Sequence, residues 1–202
     1  MAGDDSGERC QAAPLRGQRA RHIACFLARM PNAIEQLGVK AVGTVKAVKA
    51  GFNGLRGVFL HLAEEHGEVG ALMKHVSKSR DAQVRRQYYA QIRAELLSHE
   101  RAELAEVFPP LSHHDSTREL VVLHNQEAAE LEAAIYAIDA LDPASDAWVL
   151  AFERLLAVVE QHVEEEEKDF FPMAQAAIGE AAAVALLKSY EAAKAAAKQE
   201  LE

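Results

Sequence analysis

A histidine, a glutamate four residues on and a Phe-Pro step ending ten residues past the histidine occur twice in this chain. The copies are His99, Glu103 and Phe108-Pro109, and His162, Glu166 and Phe171-Pro172. An i, i+4 pair lies on one face of an α-helix at adjacent turns, with Cβ atoms about 5–6 Å apart. Read alone, Gln161-His162-Val163-Glu164-Glu165-Glu166-Glu167 is a solvated acidic helix surface. The first copy singles out one of its four consecutive glutamates. Three residues past His99 is Ala102, so the shared position is the fourth, Glu103 in one unit and Glu166 in the other. The repeat is also wider than these pairs: His66 stands 33 residues before His99, and His124 stands 38 before His162. One helical hairpin is written twice, each copy offering a lone histidine from its first helix and a histidine–glutamate pair from its second.

The rest of the chain supports a helical frame. Alanine, leucine and glutamate are abundant and aromatics make up only 6%, which favours helices and leaves little material for a sheet. Val58, Leu62, Val69, Leu72, Met73 and Val76 recur with helical period over the first long segment. Ser77 to Arg80 forms a turn, with Ser79 a candidate cap, and a second helix is predicted from about Asp81 to Val107, stopped by Phe108-Pro109-Pro110. A connector over 111–115 leads to a third helix beginning near Ser116 and ending before Leu141-Asp142-Pro143. Ser145 and Asp146 can cap a fourth, running to Pro172. The expected fold is all-α: an antiparallel up-and-down four-helix bundle over residues 58–173, built from long helices with short connections.

Flanking segments complete the organisation. Residues 1–17 are polar, contain Pro14 and Gly17, and are expected to be disordered. Residues 18–57 form a basic arm. It has a helix predicted over 18–29, and a run from Ala33 to Lys49 whose pattern is weakly helical and leaves a strand open for 39–48. Between residues 18 and 50 six basic side chains face one acid, Glu35. Docking onto the acidic remainder is the simple account; contact with an anionic surface is the sharper one. After Gly179 an alanine-rich helix, Glu180 to about Lys198 within the closing segment 174–202, reads as packing or oligomer surface, compatible with a homodimer.

Composition narrows the functions. Thirty-one acidic against 22 basic residues, net charge −9, argue against a broad phosphate-binding surface, so no nucleic-acid partner is expected. Cys10 and Cys25 match no metal spacing and point to a reducing compartment. With no signal-peptide pattern and no uninterrupted apolar run of bilayer length, a cytoplasmic protein without a transmembrane segment is expected.

Four helices carrying the repeat would bring together His66, His99, His124, His162, Glu103 and Glu166. Four imidazoles and two carboxylates suit iron or manganese well and zinc tolerably. Two carboxylates able to bridge make two nearby ions more natural than one, and they offset metal charge inside a core where bare ions are costly. Glu64, Glu65, Glu68, Glu127, Glu164 and Glu167 read as supporting or solvated carboxylates around that set.

These stretches resemble the hemerythrin-like HHE cation-binding domains, whose signature is a doubled histidine and histidine-x-x-x-glutamate pattern followed by aromatic-proline. The matching residues are Glu65-His66-Gly67-Glu68-Val69, His99 to Glu103 with Phe108-Pro109, Leu123-His124-Asn125, and His162 to Glu166 with Phe171-Pro172. The resemblance covers about residues 58–173. It implies a four-helix bundle around a non-haem di-iron centre, with bridging carboxylates and an oxygen-derived bridge. Members that carry dioxygen usually have a fifth histidine one turn from the third-helix ligand. Here those positions are Leu120 and Ala128. Either one iron has an open position, or His61, His75, His113, His114, Tyr88, Tyr89, Tyr136 or an extra glutamate stands in.

The leading functional expectation is a soluble di-iron protein that binds or reacts with dioxygen, peroxide or nitric oxide. Whether it is an enzyme stays open, with Glu65 and Tyr88 the candidate acid or base. The alternative is a helical interaction or regulatory module whose metal centre is structural or absent, with the basic arm and alanine-rich tail doing the binding.

Overall fold

The computed structural model describes residues 33–201, so the polar start at 1–17, the helix expected over 18–29 and both cysteines lie outside the described residues. Among the described residues eight α-helices, α1 to α8, follow in order: Ala33–Phe52, Gly57–Lys78, Ala82–Ala102, Phe108–Leu111, Arg118–Asp139, Asp146–Glu165, Phe171–Ile178 and Glu180–Glu200. The described residues contain no strand. The fold is an all-α bundle, and the strand left open for 39–48 is instead part of α1. Helices α2, α3, α5 and α6 form the four-membered core, α2 packing on α3 and α6, and α5 packing on α6 and α3.

Local chemistry sets the helix starts. Asp81 caps α3 by accepting from the Gln83 amide at 2.8 Å, while Ser79 closes α2 and accepts from the Asp81 amide at 3.2 Å. Ser145 caps α6 through the Trp148 amide at 3.2 Å, as its position before the apolar run predicts. The third bundle helix starts at Arg118 rather than Ser116. Thr117 precedes it, with a buried hydroxyl that donates to the Leu111 carbonyl at 2.6 Å and pins the connector.

The expected stops at Phe108-Pro109 and Phe171-Pro172 are replaced by a different device. Glu103–Val107 and Glu166–Phe170 each form one π-helical turn, and the chain runs on into α4 and α7. In each copy the phenylalanine amide bonds to the glutamate carbonyl five residues back, Phe108 to Glu103 and Phe171 to Glu166. The proline then falls in the first turn of the next helix, where a missing N–H breaks no intrahelical bond. The helix therefore bulges at the motif glutamate instead of ending after it.

Two apolar layers bracket one polar layer. Toward the Phe-Pro end, Phe59, Leu62, Val107, Phe108, Val121, Phe170 and Phe171 pack with Ala183 and Tyr190 of α8. Toward the other end, Met73, Tyr89, Ile92, Leu97, Ile135, Trp148, Phe152 and Leu155 form the second layer, with Trp148 and Phe152 stacked at 4.9 Å. On each core helix the predicted site residues sit in sequence between the two layers. Burial of these layers drives the bundle together and carries the polar layer into the interior.

Both flanking helices dock on this core. A Cβ on Gly67 of α2 would stand 2.8 Å from the Gly43 Cα, so α1 crosses α2 backbone to backbone at a pair of glycines. Gly179, at φ +82°, allows the 109° bend that turns α8 back across α2 and α3. No single helix among the described residues is long and apolar enough to cross a membrane.

Candidate metal centre

The six residues picked from the repeat converge. His66, His99, Glu103, His124, His162 and Glu166 are all buried, the two glutamates completely. His66 Nε2 and His99 Nε2 face each other at 3.3 Å, and His66 Nε2 is 3.2 Å from Glu166 Oε2. His99 Nε2 lies 3.3 Å from Glu103 Oε2, and His162 Nε2 lies 3.6 Å from Glu166 Oε1. The His124 and His162 rings meet edge to face at 5.4 Å. Despite these approaches, both oxygens of Glu103, both of Glu166 and His162 Nε2 are buried without an aligned hydrogen bond. Buried polar atoms rarely lack a partner, because each one unmade costs about 1–3 kcal/mol. With His124 Nδ1, likewise buried without an aligned hydrogen bond, six such atoms in one layer mark a place arranged for cations.

The π-turns place the carboxylates. In each copy the glutamate is the first residue of the π-turn, where the helix widens beside the bundle axis. Single π-turns of this kind recur at functional sites. The motif phenylalanines cross over between copies. Phe171 of the second copy stacks on His66 of the first, at 5.6 Å and 18°, while Phe108 of the first stacks on His124 of the second, at 6.0 Å and 27°. Each aromatic thus fixes the lone histidine of the other hairpin.

Electrostatics follow from this crowding. Burial works to lower both imidazoles, yet Glu103 and Glu65 hold His99 up at about 10, and Glu166 and Glu100 hold His162 up at about 11. Burial and the facing Glu166 push Glu103 up to about 7 over the pull of His99. Burial also pushes Glu166 up, but His162 and His66 override it and hold this carboxyl at about 2. In the absence of metal, protons on the histidines supply the positive charge these carboxylates require.

Outward, the histidines are held by further carboxylates. His99 Nδ1 donates to Glu65 at 2.9 Å, His66 Nδ1 to Glu167 at 3.1 Å, and His162 Nδ1 to Glu127 at 3.2 Å. The same Glu127 oxygen lies 2.9 Å from His124 Nδ1. His124, Glu127 and His162 therefore form a close triad through their Nδ1 side. We read that contact as orientation of the rings, because His162 Nε2 points the other way, toward Glu100 and Glu166.

Among the described residues none of His61, His75, His113 and His114 belongs to a metal-competent grouping of histidines and carboxylates. His61 binds the outer side of Glu65 at 3.1 Å, and His75 packs edge-on to Tyr88 at 5.0 Å. Tyr89 donates to the Ile135 carbonyl and to Asp139, and Tyr136 to Glu132. His113 and His114 stay in the connector between α4 and α5. Glu65, offered as an acid or base, is occupied in orienting His99.

The residue that sequence reasoning missed is Glu100. It is buried, its Oε1 lies 3.4 Å from His162 Nε2, and it groups with His99 and Glu103 as a metal-competent set. A signal existed in the repeat: the second copy has apolar Val163 at this position, so a charge here breaks the pattern on a buried face. Beside Glu100 opens a cavity of about 120 Å³, bordered by His66, His99 and His162 and walled by Val69, Leu72, Leu96, Leu131 and Val159.

Comparison with curated proteins and with solved structures returned no significant match. A family model, the hemerythrin HHE cation binding domain, matches residues 48–174. That span covers more than half of the chain and contains all six converging residues, and the chain belongs to the hemerythrin HHE cation-binding domain family.

Proposed function

We propose that this chain is a non-haem di-iron protein that binds or reacts with a small oxidant, namely dioxygen, peroxide or nitric oxide. In this reading His66, His99, His124 and His162 would each hold one ion and Glu103 and Glu166 would be shared between two. The observation that carries it is the pair of fully buried carboxylates whose four oxygens have no hydrogen-bond partner, set among four histidines. A donor set of imidazoles and carboxylates without thiolate suits iron or manganese, with zinc a weaker fit. When bound, iron would supply redox chemistry and an electrophilic position for a small ligand.

The chain's own residues would do the rest. Glu100 takes the place of the fifth histidine, supported by its burial and its approach to His162. Glu65, Glu127 and Glu167 hold the imidazoles in register through Nδ1. The cavity, where Val69, Leu72, Leu96, Leu131 and Val159 face Glu68, Glu95 and Lys194, leaves room for a molecule of a few atoms, in keeping with a small partner rather than a macromolecule. A cytoplasmic location goes with this reading.

The test is anaerobic loading of the metal-free protein with ferrous iron, followed by elemental analysis and stopped-flow absorbance on mixing with oxygen or peroxide. The expected result is about two irons per chain, an optical change on mixing, and loss of both in Glu166→Gln. Reversal on removing oxygen marks carriage; repeated peroxide consumption with the centre intact marks an enzyme. A stoichiometry of one or fewer, with no optical change, overturns the proposal in favour of a helical interaction module.

A further inference from the structure

The carboxylates behind the histidines are themselves held unequally. Glu65, behind His99, receives the Tyr190 hydroxyl at 2.6 Å, Lys194 at 2.7 Å and His61 at 3.1 Å. Tyr190 is fully buried, and its oxygen also lies 3.0 Å from His99 Nδ1. Glu167, behind His66, receives Lys46 at 2.7 Å on the oxygen that His66 uses. Glu127, behind His162 and beside His124, meets only those two histidines among the described residues. Apart from His61, which is on α2 itself, the clamping groups come from the flanking helices: Lys46 from α1, and Tyr190 and Lys194 from α8. All three lie outside the stretch matched by the family, residues 48–174.

His66 and His99 aim their Nε2 atoms at one point, 3.3 Å apart, so they serve the same ion position. In the two-metal reading His124 and His162, whose rings meet at 5.4 Å, serve the other. We infer that the two ion positions are unequal. The flanking helices make the His66/His99 position the tighter one, with Tyr190, Lys194 and Lys46 as positioning residues acting through Glu65 and Glu167. A ligand whose outer hydrogen bond is fixed loses less freedom on binding metal and presents its lone pair in place, and losing such an outer partner typically weakens metal binding by about 10–100-fold. The alanine-rich helix, expected from its sequence to be packing surface, thereby becomes part of the centre. This inference rests on the two-metal reading proposed above.

The experiment is titration of the metal-free full-length protein with Fe²⁺ under anaerobic conditions against a chromophoric chelator, repeated with Co²⁺ to record the visible spectrum at one equivalent. Wild type is expected to show two affinity classes. Tyr190→Phe keeps the ring and removes the hydroxyl. It should weaken the tighter class by about tenfold or more, shift the one-equivalent Co²⁺ spectrum, and leave the looser class in place. Lys46→Met should act on the same class, and Glu127→Gln on the looser class alone. Thermal melting of each metal-free variant separates these effects from simple loss of packing, which would lower both classes together. Two equal classes in wild type, or a Tyr190→Phe variant that weakens both classes alike or neither, overturns the inference while leaving the di-iron reading standing. Fewer than two ions in wild type overturns both.

Discussion

Replacing Glu103 by glutamine should make the metal-free protein more stable, and by an amount that grows with pH. Glu103 is fully buried, faces Glu166 and has no aligned hydrogen bond on either oxygen, which pushes it from 4.5 up to about 7. A carboxyl raised on folding is harmless below its unfolded value, where it is protonated in both states. Its cost develops as pH rises above 4.5 and is complete once pH passes the folded value near 7. Each pH unit between those two values adds about 1.4 kcal/mol, so the cost grows by about 2 to 3 kcal/mol between pH 5 and pH 8. Glutamine keeps the shape and stays neutral, so its own burial penalty is nearly the same at both pH values and cancels from the comparison. The assay is urea denaturation of chelator-treated wild type and Glu103→Gln at pH 5 and pH 8. The gain from the substitution should be larger at pH 8 by that amount. On the proposed di-iron reading the order should reverse with iron present, because the variant would forfeit a metal ligand and the stabilisation that bound metal gives the folded state. An equal difference at the two pH values refutes the reasoning, since it would mean that Glu103 carries no buried charge.

Other consequences are equally direct. If His99 and His162 are ligands as proposed, metal must displace their protons, held at about 10 and about 11, so loading at pH 7 should release at least about two protons per chain and tighten as pH rises. Calorimetry in buffers of different ionisation enthalpy reads that release, and loading without it would show the histidines to be already neutral. Gly67→Ala should lower the melting temperature of the metal-free protein, because its Cβ meets the Gly43 backbone at 2.8 Å and α1 must lift. The overpacking costs about 1–3 kcal/mol against a helix-propensity gain of about 1. Gly70→Ala, on the same helix with nothing within 4 Å, should gain that propensity without the clash. A Gly67→Ala protein as stable as Gly70→Ala would refute the glycine-on-glycine crossing.

Much of the site could be read from the chain because its information is periodic. His99 with Glu103 and His162 with Glu166 share a helix face by spacing alone, and duplication turned two ambiguous pairs into one arrangement. Tertiary crossings were out of reach. Phe108 touches His124 and Phe171 touches His66, contacts between hairpins that no spacing within either hairpin encodes. The π-turns were hidden for another reason. A proline ten residues past the histidine reads as a stop, and only the amide bond from the preceding phenylalanine to the glutamate carbonyl shows the helix widening and continuing. For Glu65 and Glu167 the sequence could not choose between a supporting and a solvated carboxylate, because their partners Tyr190, Lys194 and Lys46 arrive from helices outside the repeat.

What the repeat makes symmetrical, the remainder of the chain makes unequal, and chemistry at a paired centre depends on that difference. Two identical ion positions filled to the same coordination would offer a small molecule no preferred end. Here Glu100 stands where the second copy has Val163, so a third carboxylate enters from one hairpin only. The cavity opens on the side of His66, His99, Glu100 and His162, and its border includes Val39 of α1 and Lys194 of α8. Both helices lie outside the duplicated hairpins, and both contribute a clamp on one pair of histidines, Lys46 on Glu167 and Lys194 on Glu65. The same two helices thus border the cavity and hold the carboxylates behind His66 and His99, which in the proposed reading share one ion position. A change in how either helix packs would alter access and ligand orientation together, which makes their docking surfaces, Gly43 against Gly67 and Ala183 against Gly57, part of the functional design.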